Sequence, residues 1–411
     1  MATSPASATV TAEDVERARH AIADVAKLTP VLPSLTLTQR AGGEVALKAE
    51  NLQRTGSFKI RGALNKLAAL GDACAQGVTA GSAGNHAWAL AQAARARGVP
   101  CEVFMPVEAP LSKTEGCKDL GAVVHSGGSS VEECVVAAKE RAREAGMAFV
   151  HPFDDPDVVA GQGTLGLELL EDVPDLAKVV VPVGGGGLAS GVAIAVKSAR
   201  PEIEVVGVQV DAVASFPESL RRGEPVQIVP GLTIADGIAV KRPGELTLGL
   251  VRRWLDDVVV VPEDDVADAM VLLMEKAKLV VEGAGAVGVA ALLGGKTAPA
   301  ARGTTVVVLS GGNVDAGLLA SVARRHESES GRRLVLLTRV ADRPGGLARL
   351  LAQVAATGAN IVDVSHVREG LADLHVRETA IELVLETRGH DHADNVVATL
   401  RDAGYKSSVL R

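Results

Sequence analysis

The chain has 411 residues, 47% hydrophobic but only 2% aromatic, with 44 glycines, so its core is aliphatic and its length suits two or three domains. A net charge of −8 without a long basic run argues against nucleic acid as a main partner. No stretch is long enough to span a bilayer, Met1 to Val10 has no apolar leader segment, and Cys74, Cys101, Cys117 and Cys134 show no CxxC spacing; a soluble, cytoplasmic protein of a reducing compartment is expected, away from any membrane.

From the N-terminus, short β-rich runs alternate with Ala-rich helical stretches. Strands are predicted at Val45–Lys48, Cys101–Met105, Ala122–His125, Val179–Val183, Val205–Val210, Val258–Val261 and Thr304–Leu309. Helical patterns fill most gaps, as at Ala87–Arg97, Val131–Ala145 and Asp264–Leu279. Strand, helix, strand over this length means an α/β fold of parallel sheets with right-handed crossovers.

The composition changes near residue 325. Arg324-Arg-His-Glu-Ser-Glu-Ser-Gly-Arg-Arg333 is charged and small, so residues 326–332 are expected to be a linker between a catalytic region, 1–325, and a C-terminal domain, 333–411. Beyond it, strands are predicted at Leu334–Val340, Asn360–Val367, Ala380–Leu385 and near the end, with helices at Pro344–Ala356 and Ala393–Ala403. The order βαββαβ is a ferredoxin-like unit.

Four segments carry chemistry. Lys59, in Asn51-Leu-Gln-Arg-Thr-Gly-Ser-Phe-Lys-Ile-Arg-Gly-Ala63, falls in the first turn of a predicted helix, with Gly56 and Ser57 as turn and cap. An ammonium is badly placed at a helix N-terminus, whereas a lysine that forms an imine gains from being neutral. A helix end supplies at most ~2 kcal/mol, about one and a half pKa units, so reaching neutrality from ~10.4 also takes desolvation or covalent capture of the amine.

Gly184-Gly-Gly-Gly-Leu188 follows a predicted strand and precedes a helix, so its backbone N–H groups can converge on a phosphate. Ser82-Ala-Gly-Asn-His86 offers a hydroxyl, free amides and an Asn side chain at another strand-to-helix junction, suited to a carboxylate and a neighbouring oxygen. Ser310-Gly-Gly-Asn313 places Ser310 at the carboxyl end of a strand, where ligands sit in open α/β sheets.

Other motifs are weaker. Gly283-Ala-Gly-Ala-Val-Gly288 fits the dinucleotide fingerprint of a nicotinamide-dependent dehydrogenase, but it follows a helical stretch and lacks the downstream acid. Gly295-Lys-Thr297 ends like a nucleotide P-loop, yet Ala290 stands where its first glycine must fall. His390-Asp-His392 reads as an exposed loop and not a metal site.

Over roughly residues 12–320 these segments together resemble the fold-type II (tryptophan synthase β-like) pyridoxal-phosphate enzymes, and within them the threonine dehydratases (threonine ammonia-lyases). The resemblance implies two open twisted sheet domains, the smaller, about 51–150, inserted in the larger. It implies pyridoxal 5'-phosphate held covalently on Lys59, its phosphate on Gly184, Gly185, Gly186, Gly187 and Leu188, its phenolic oxygen on Asn85 and its pyridine nitrogen on Ser310. Ser82, Ala83, Gly84 and His86 would hold the carboxylate of threonine or serine. Serine racemases resemble the same region, but they need a serine where this chain has Ala83, so racemisation is expected to be poor. Trp88 and Ala89 stand where many dehydratases have Gln and Gly. Gln209 and Ser215 replace the acids of a divalent-cation site in some relatives, so no metal is expected there. A sensor that kept a dead enzyme scaffold is the alternative of another class, which intact Lys59, Asn85 and Ser310 oppose.

The C-terminal unit resembles an ACT domain, with Asp342, Gly345, Gly346 and Asn360 matching its effector loop. An amino-acid effector and a homodimer or homotetramer are implied.

Overall fold

The computed structural model describes residues 9–109, 111–368 and 374–410; most of the run read for a leader lies outside them. The chain divides into two units, Met1–Asp315 and Ala316–Arg411.

The first unit carries strands β1 (Val31–Pro33), β2 (Val45–Ala49), β3 (Val78–Gly81), β4 (Cys101–Met105), β5 (Val123–Ser126), β6 (Ala148–Phe149), β7 (Leu176–Pro182), β8 (Glu204–Val210), β9 (Asp257–Val261) and β10 (Thr304–Leu309). Six form a sheet in the order β1-β2-β10-β7-β8-β9, parallel except for β1. The other four form a parallel sheet, β5-β4-β3-β6. Runs such as Val179, Val180, Val181 and Val306, Val307, Val308 are fully buried, as strands covered by helices on both faces require.

Glycines bring three helices, Lys59–Leu70, Pro156–Asp172 and Gly187–Ala199, into backbone contact. A Cβ on Gly191 would lie 2.3 Å from Val159 O, and one on Gly161 would lie 2.6 Å from Arg61 O. The helix that begins at Lys59 and the helix that begins at the glycine loop are thereby held against a common third. A buried ionic cluster locks the first of them. The Arg61 guanidinium binds Glu50 (2.8 Å) and Glu168 (2.5 Å), and Lys48 binds Glu168 (2.7 Å) and Thr29 O (2.7 Å). Burial pushes the Glu50 carboxyl up, but the guanidinium outweighs it and holds the group below its ordinary range.

Several local expectations change. The helix cap is Phe58, with no side-chain bond, and the Ser57 hydroxyl has no partner. The expected helix Asp264–Leu279 is α-helical over Glu263–Leu272, then forms a π-turn over Leu273–Ala277 that ends at left-handed Lys278. Gly283 opens a helix preceded by a loop and not by a strand, so the dinucleotide context is missing. Its glycines instead admit close packing, Gly288 against Val307 and Gly285 against Gly311. Among the described residues, no helix is long and apolar enough to cross a membrane. Cys74, Cys101, Cys117 and Cys134 are buried and free.

In the second unit, β11 (Arg333–Ala341), β12 (Asn360–Val367), β13 (Glu378–Glu386) and β14 (Ser407–Val409) form an antiparallel sheet in the order β12-β13-β11-β14. Helices Gly346–Ala356 and His390–Asp402 share a core with it, built on Leu336, Leu350, Val354, Ile381, Leu383, Val396 and Leu400. Of the expected linker 326–332, residues 326–329 end the helix Ala316–Glu329, along which the Arg325–Glu329 pair lies, and 330–332 form the turn into β11. His390 and His392 begin a helix rather than lying in a loop, and the His392 ring meets Thr357 O at 3.0 Å.

Candidate active site

The carboxyl ends of β3, β7 and β10 open on one cavity in the first unit. Lys59, Ser82, Ala83, Gly84, Asn85, His86, Gly184, Gly185, Gly186, Gly187, Leu188 and Ser310 all line it. Residues more than 250 positions apart in sequence therefore meet there.

Lys59 is the first residue of its helix, and its turn is tied to the end of β10. Phe58 N–H donates to Ser310 O (3.1 Å), and Ser57 bridges Gly311. The Lys59 Nζ donates to Pro152 O (2.9 Å), and burial pushes its pKa down to about 8, against the opposing pull of Glu282. About a tenth of the amine is thus available as nucleophile at pH 7, far more than of an ordinary lysine.

The glycine loop joins β7 to the helix Gly187–Ala199. Gly186 has φ +90°, a left-handed conformation, and a Cβ on Gly185 would lie 2.2 Å from the Phe153 ring. Side chains are excluded from this loop, which leaves backbone N–H groups at a helix N-terminus, the donor set a phosphate needs. The donors and the lysine fit pyridoxal phosphate without any cationic side chain at the loop.

In the segment after β3, the Ser82 hydroxyl accepts from Gly84 N–H (3.2 Å). His86 is buried, and burial followed by the Lys59 charge drives its pKa down to about 3, so it is a neutral ring. Its Nε2 lies 3.0 Å from Val150 O, which sets Nε2 as the protonated nitrogen. Asn85 donates to Glu282 (2.8 Å) and accepts from Asn313 (2.9 Å).

Residues without a local motif complete the wall. Glu282 is buried and lines the cavity, where burial followed by Asp236 pushes its carboxyl up to about 7. Lys113 pairs with Asp236 at 2.9 Å, and both line the cavity. A Cβ on Gly84 would lie 3.1 Å from the Lys113 Nζ, so a cation stands beside the Ser82–Asn85 loop. Trp88 packs on Gly116, and Ala89 is buried in the core of the smaller sheet. Gln209 is engaged within the fold, donating to Val183 O (3.2 Å) and accepting from Phe216 N–H (2.9 Å).

In the second unit, Asp342 pairs with Arg368 (3.0 Å) and Gly345, at φ +80°, precedes the helix Gly346–Ala356. Asn360 lies elsewhere. It stands beside Glu386, which pairs with Arg333 on its other side, at the opposite end of the sheet from Ala341 and Glu378. One copy of the chain does not bring Asn360 together with Asp342–Gly346.

Comparison with known proteins supplies the context. The profile of the family described as pyridoxal-phosphate dependent enzyme matches residues 22–311. An L-threonine ammonia-lyase of Thermotoga maritima is 45% identical over 402 residues, 98% of this chain and 100% of the relative. The catabolic L-threonine dehydratase TdcB of Escherichia coli is 43% identical over 308 residues, 74% of this chain and 94% of the relative. The solved structure of maize serine racemase matches with a TM-score of 0.73 at 36% identity, covering 78% of this chain and 99% of that one.

Proposed function

Since the chain belongs to the pyridoxal-phosphate-dependent enzymes, we propose that it is a threonine ammonia-lyase, converting L-threonine to 2-oxobutanoate and ammonia and L-serine to pyruvate and ammonia. The observation that carries this reading is the meeting of Lys59, the glycine loop and Ser310 in one cavity. When bound, pyridoxal phosphate supplies the electron sink that lets the Cα–H bond break and the β-hydroxyl leave.

The protein does the rest. Lys59 would hold the cofactor through its amine, and with that amine free it would take the substrate α-proton as general base. Gly184 to Leu188 would hold the phosphate, and Asn85 the oxygen on the ring. Ser82 and its loop through Ala83 and Gly84 would bind the substrate carboxylate, with the Gly84 N–H orienting the Ser82 hydroxyl and His86 held on Val150 O. Ser310 would meet the ring nitrogen with a neutral hydroxyl, which would stabilise a ring proton less than a carboxylate and so favour elimination over transamination. A neutral Ala83 leaves one face of the substrate without a proton donor, which separates this chain from a racemase.

Purified protein loaded with pyridoxal phosphate tests the reading: threonine should yield 2-oxobutanoate, and Lys59→Ala should abolish it. Full turnover by the variant, or none by the wild type, overturns the proposal.

The second unit is read as an ACT domain that binds a small amino acid, isoleucine or valine by resemblance, and alters activity. Its strand–helix–strand–strand–helix–strand order supports this. The separation of Asn360 from Asp342, Gly345 and Gly346 means that a ligand touching both must lie between two copies, in keeping with a homodimer or homotetramer. A cytoplasmic location is proposed with it.

A further inference from the structure

Asn85 is gripped from both sides by residues that no local motif joins to it. Its Nδ2 donates to Glu282 Oε1 (2.8 Å), and its Oδ1 accepts from Asn313 Nδ2 (2.9 Å). Asn313 is fixed in turn, because the same Nδ2 donates to Thr55 O (2.7 Å). Flipping the Asn85 amide would set its carbonyl against a carboxyl oxygen and its NH2 against another NH2, so a single orientation survives. A primary amide has two N–H groups. Glu282 uses one of them, which leaves one N–H of Asn85 for whatever occupies the cavity.

Glu282 is built into this place. It is 3% exposed, its Oε2 has no partner, and a Cβ on Gly311 would lie 2.4 Å from its Oε1. The groups acting on it are Asn85 on one helix, Lys59 on a second, Lys113 on a third, Asp236 on the turn that packs against Ala284, and the backbone N–H of Asn313 after β10. A buried carboxyl with one bonded and one unbonded oxygen can hold a proton on the free one without breaking the bond to Asn85.

We propose that Glu282 is a positioning residue: it fixes the orientation of the Asn85 amide so that the remaining N–H serves the ring oxygen of the bound cofactor, and its proton, held on Oε2, tunes that contact. This deepens the assignment of the cavity to pyridoxal phosphate and rests on it. With Glu282 ionised, Oε1 is a charge-assisted acceptor that holds Asn85 firmly; with Glu282 neutral, it is a weaker carbonyl acceptor. Burial and Asp236 place the change near pH 7, against the pull of Lys113.

The test compares wild type, Glu282→Gln and Glu282→Ala as apoproteins titrated with pyridoxal phosphate, with uptake measured by equilibrium dialysis and the absorption spectrum recorded from pH 6 to pH 9. Gln keeps an oxygen for Asn85 but cannot titrate. It should bind within about threefold of wild type at pH 6 and lose the spectral inflection near pH 7. Ala should weaken binding about tenfold or more, the cost of a lost hydrogen bond to a charged group. If Ala binds as wild type does, or if Gln keeps the inflection, the inference is wrong. A wild type that takes up no cofactor overturns the cavity assignment and this inference with it, so the two failures are distinguishable. A merely structural Glu282 would leave the inflection of the Gln variant in place.

Discussion

Burial pushes the Lys59 amine down to about 8, against the pull of Glu282, and the amine stands at the first residue of its helix. At pH 7 roughly 10% of such a group is neutral, against roughly 0.03% of an unperturbed lysine, a difference of about 300-fold. The sign follows: the reactive form grows as pH rises through 8 and then saturates. Capture of pyridoxal phosphate by the apoprotein should therefore speed up about tenfold from pH 7 to pH 9 and level off. A stopped-flow rate still climbing tenfold per unit above pH 9 would mark an ordinary lysine. Ala83 makes a second prediction at this scale. It lines the cavity and cannot exchange a proton, so chiral chromatography after long incubation with L-serine should find negligible D-serine from wild type and a clear rise from Ala83→Ser. Substantial D-serine from wild type would refute the role given to this loop. Lys59, Asn85, Ser310 and the glycines were legible because each sits in a short run whose neighbours repeat the message. Lys113, Asp236 and Glu282 were not, since they stand alone in their segments and only folding assembles them. Glu282 gave one faint signal, an acid just before a helix, which is what any N-cap carboxylate looks like.

Helices and strands hold these groups in place through contacts that allow little exchange. Arg61, two residues beyond Lys59, is 1% exposed and binds two carboxylates and Thr164. Its removal leaves the buried Glu50 without its guanidinium and Glu168 with Lys48 alone. Arg61→Leu is predicted to cost about 3–5 kcal/mol in urea-induced unfolding, and Arg61→Lys to recover only part of it, because a single ammonium cannot chelate both partners. A Leu variant within 1 kcal/mol of wild type would show that the cluster contributes little. The strands of the first unit were readable because runs of Val are buried on both faces and bounded by glycine turns. The helix Ala316–Glu329 was not readable at its end. Charges without an apolar stripe look like a linker, although the pair Arg325–Glu329 supports a helical turn as well as it supports solubility. The Ser57 cap failed for a related reason: a hydroxyl next to a helix start reads as a cap, but here the backbone of Ser57 is drawn into a bridge with Gly311.

For the whole molecule, the position of the division decides how regulation can be tested. Composition placed it near residue 325, but the chain divides between Asp315 and Ala316, and a cut at 325 would sever a continuous helix. The truncation should therefore end at Asp315. The catabolic dehydratase of Escherichia coli aligns over 308 residues, which is 94% of its own length and only 74% of this chain, so a catalytic unit of that size exists as an enzyme by itself. On this basis residues 1–315 should keep bound cofactor and turnover of threonine within a few-fold of the full chain. What should vanish is the response to small amino acids. Coupling between two sites commonly amounts to ~1–3 kcal/mol, so the full chain should show a shift of roughly five- to a hundred-and-fifty-fold in half-saturating threonine when an effector such as isoleucine or valine is added. Binding and kinetics must agree in this test: linkage requires that saturating threonine shift the affinity for the effector by the same factor, which calorimetry on the full chain can measure. If no proteinogenic amino acid changes the kinetics of the full chain, the second unit serves assembly alone, and its removal should alter the oligomeric state in sedimentation while leaving the threonine dependence as it was.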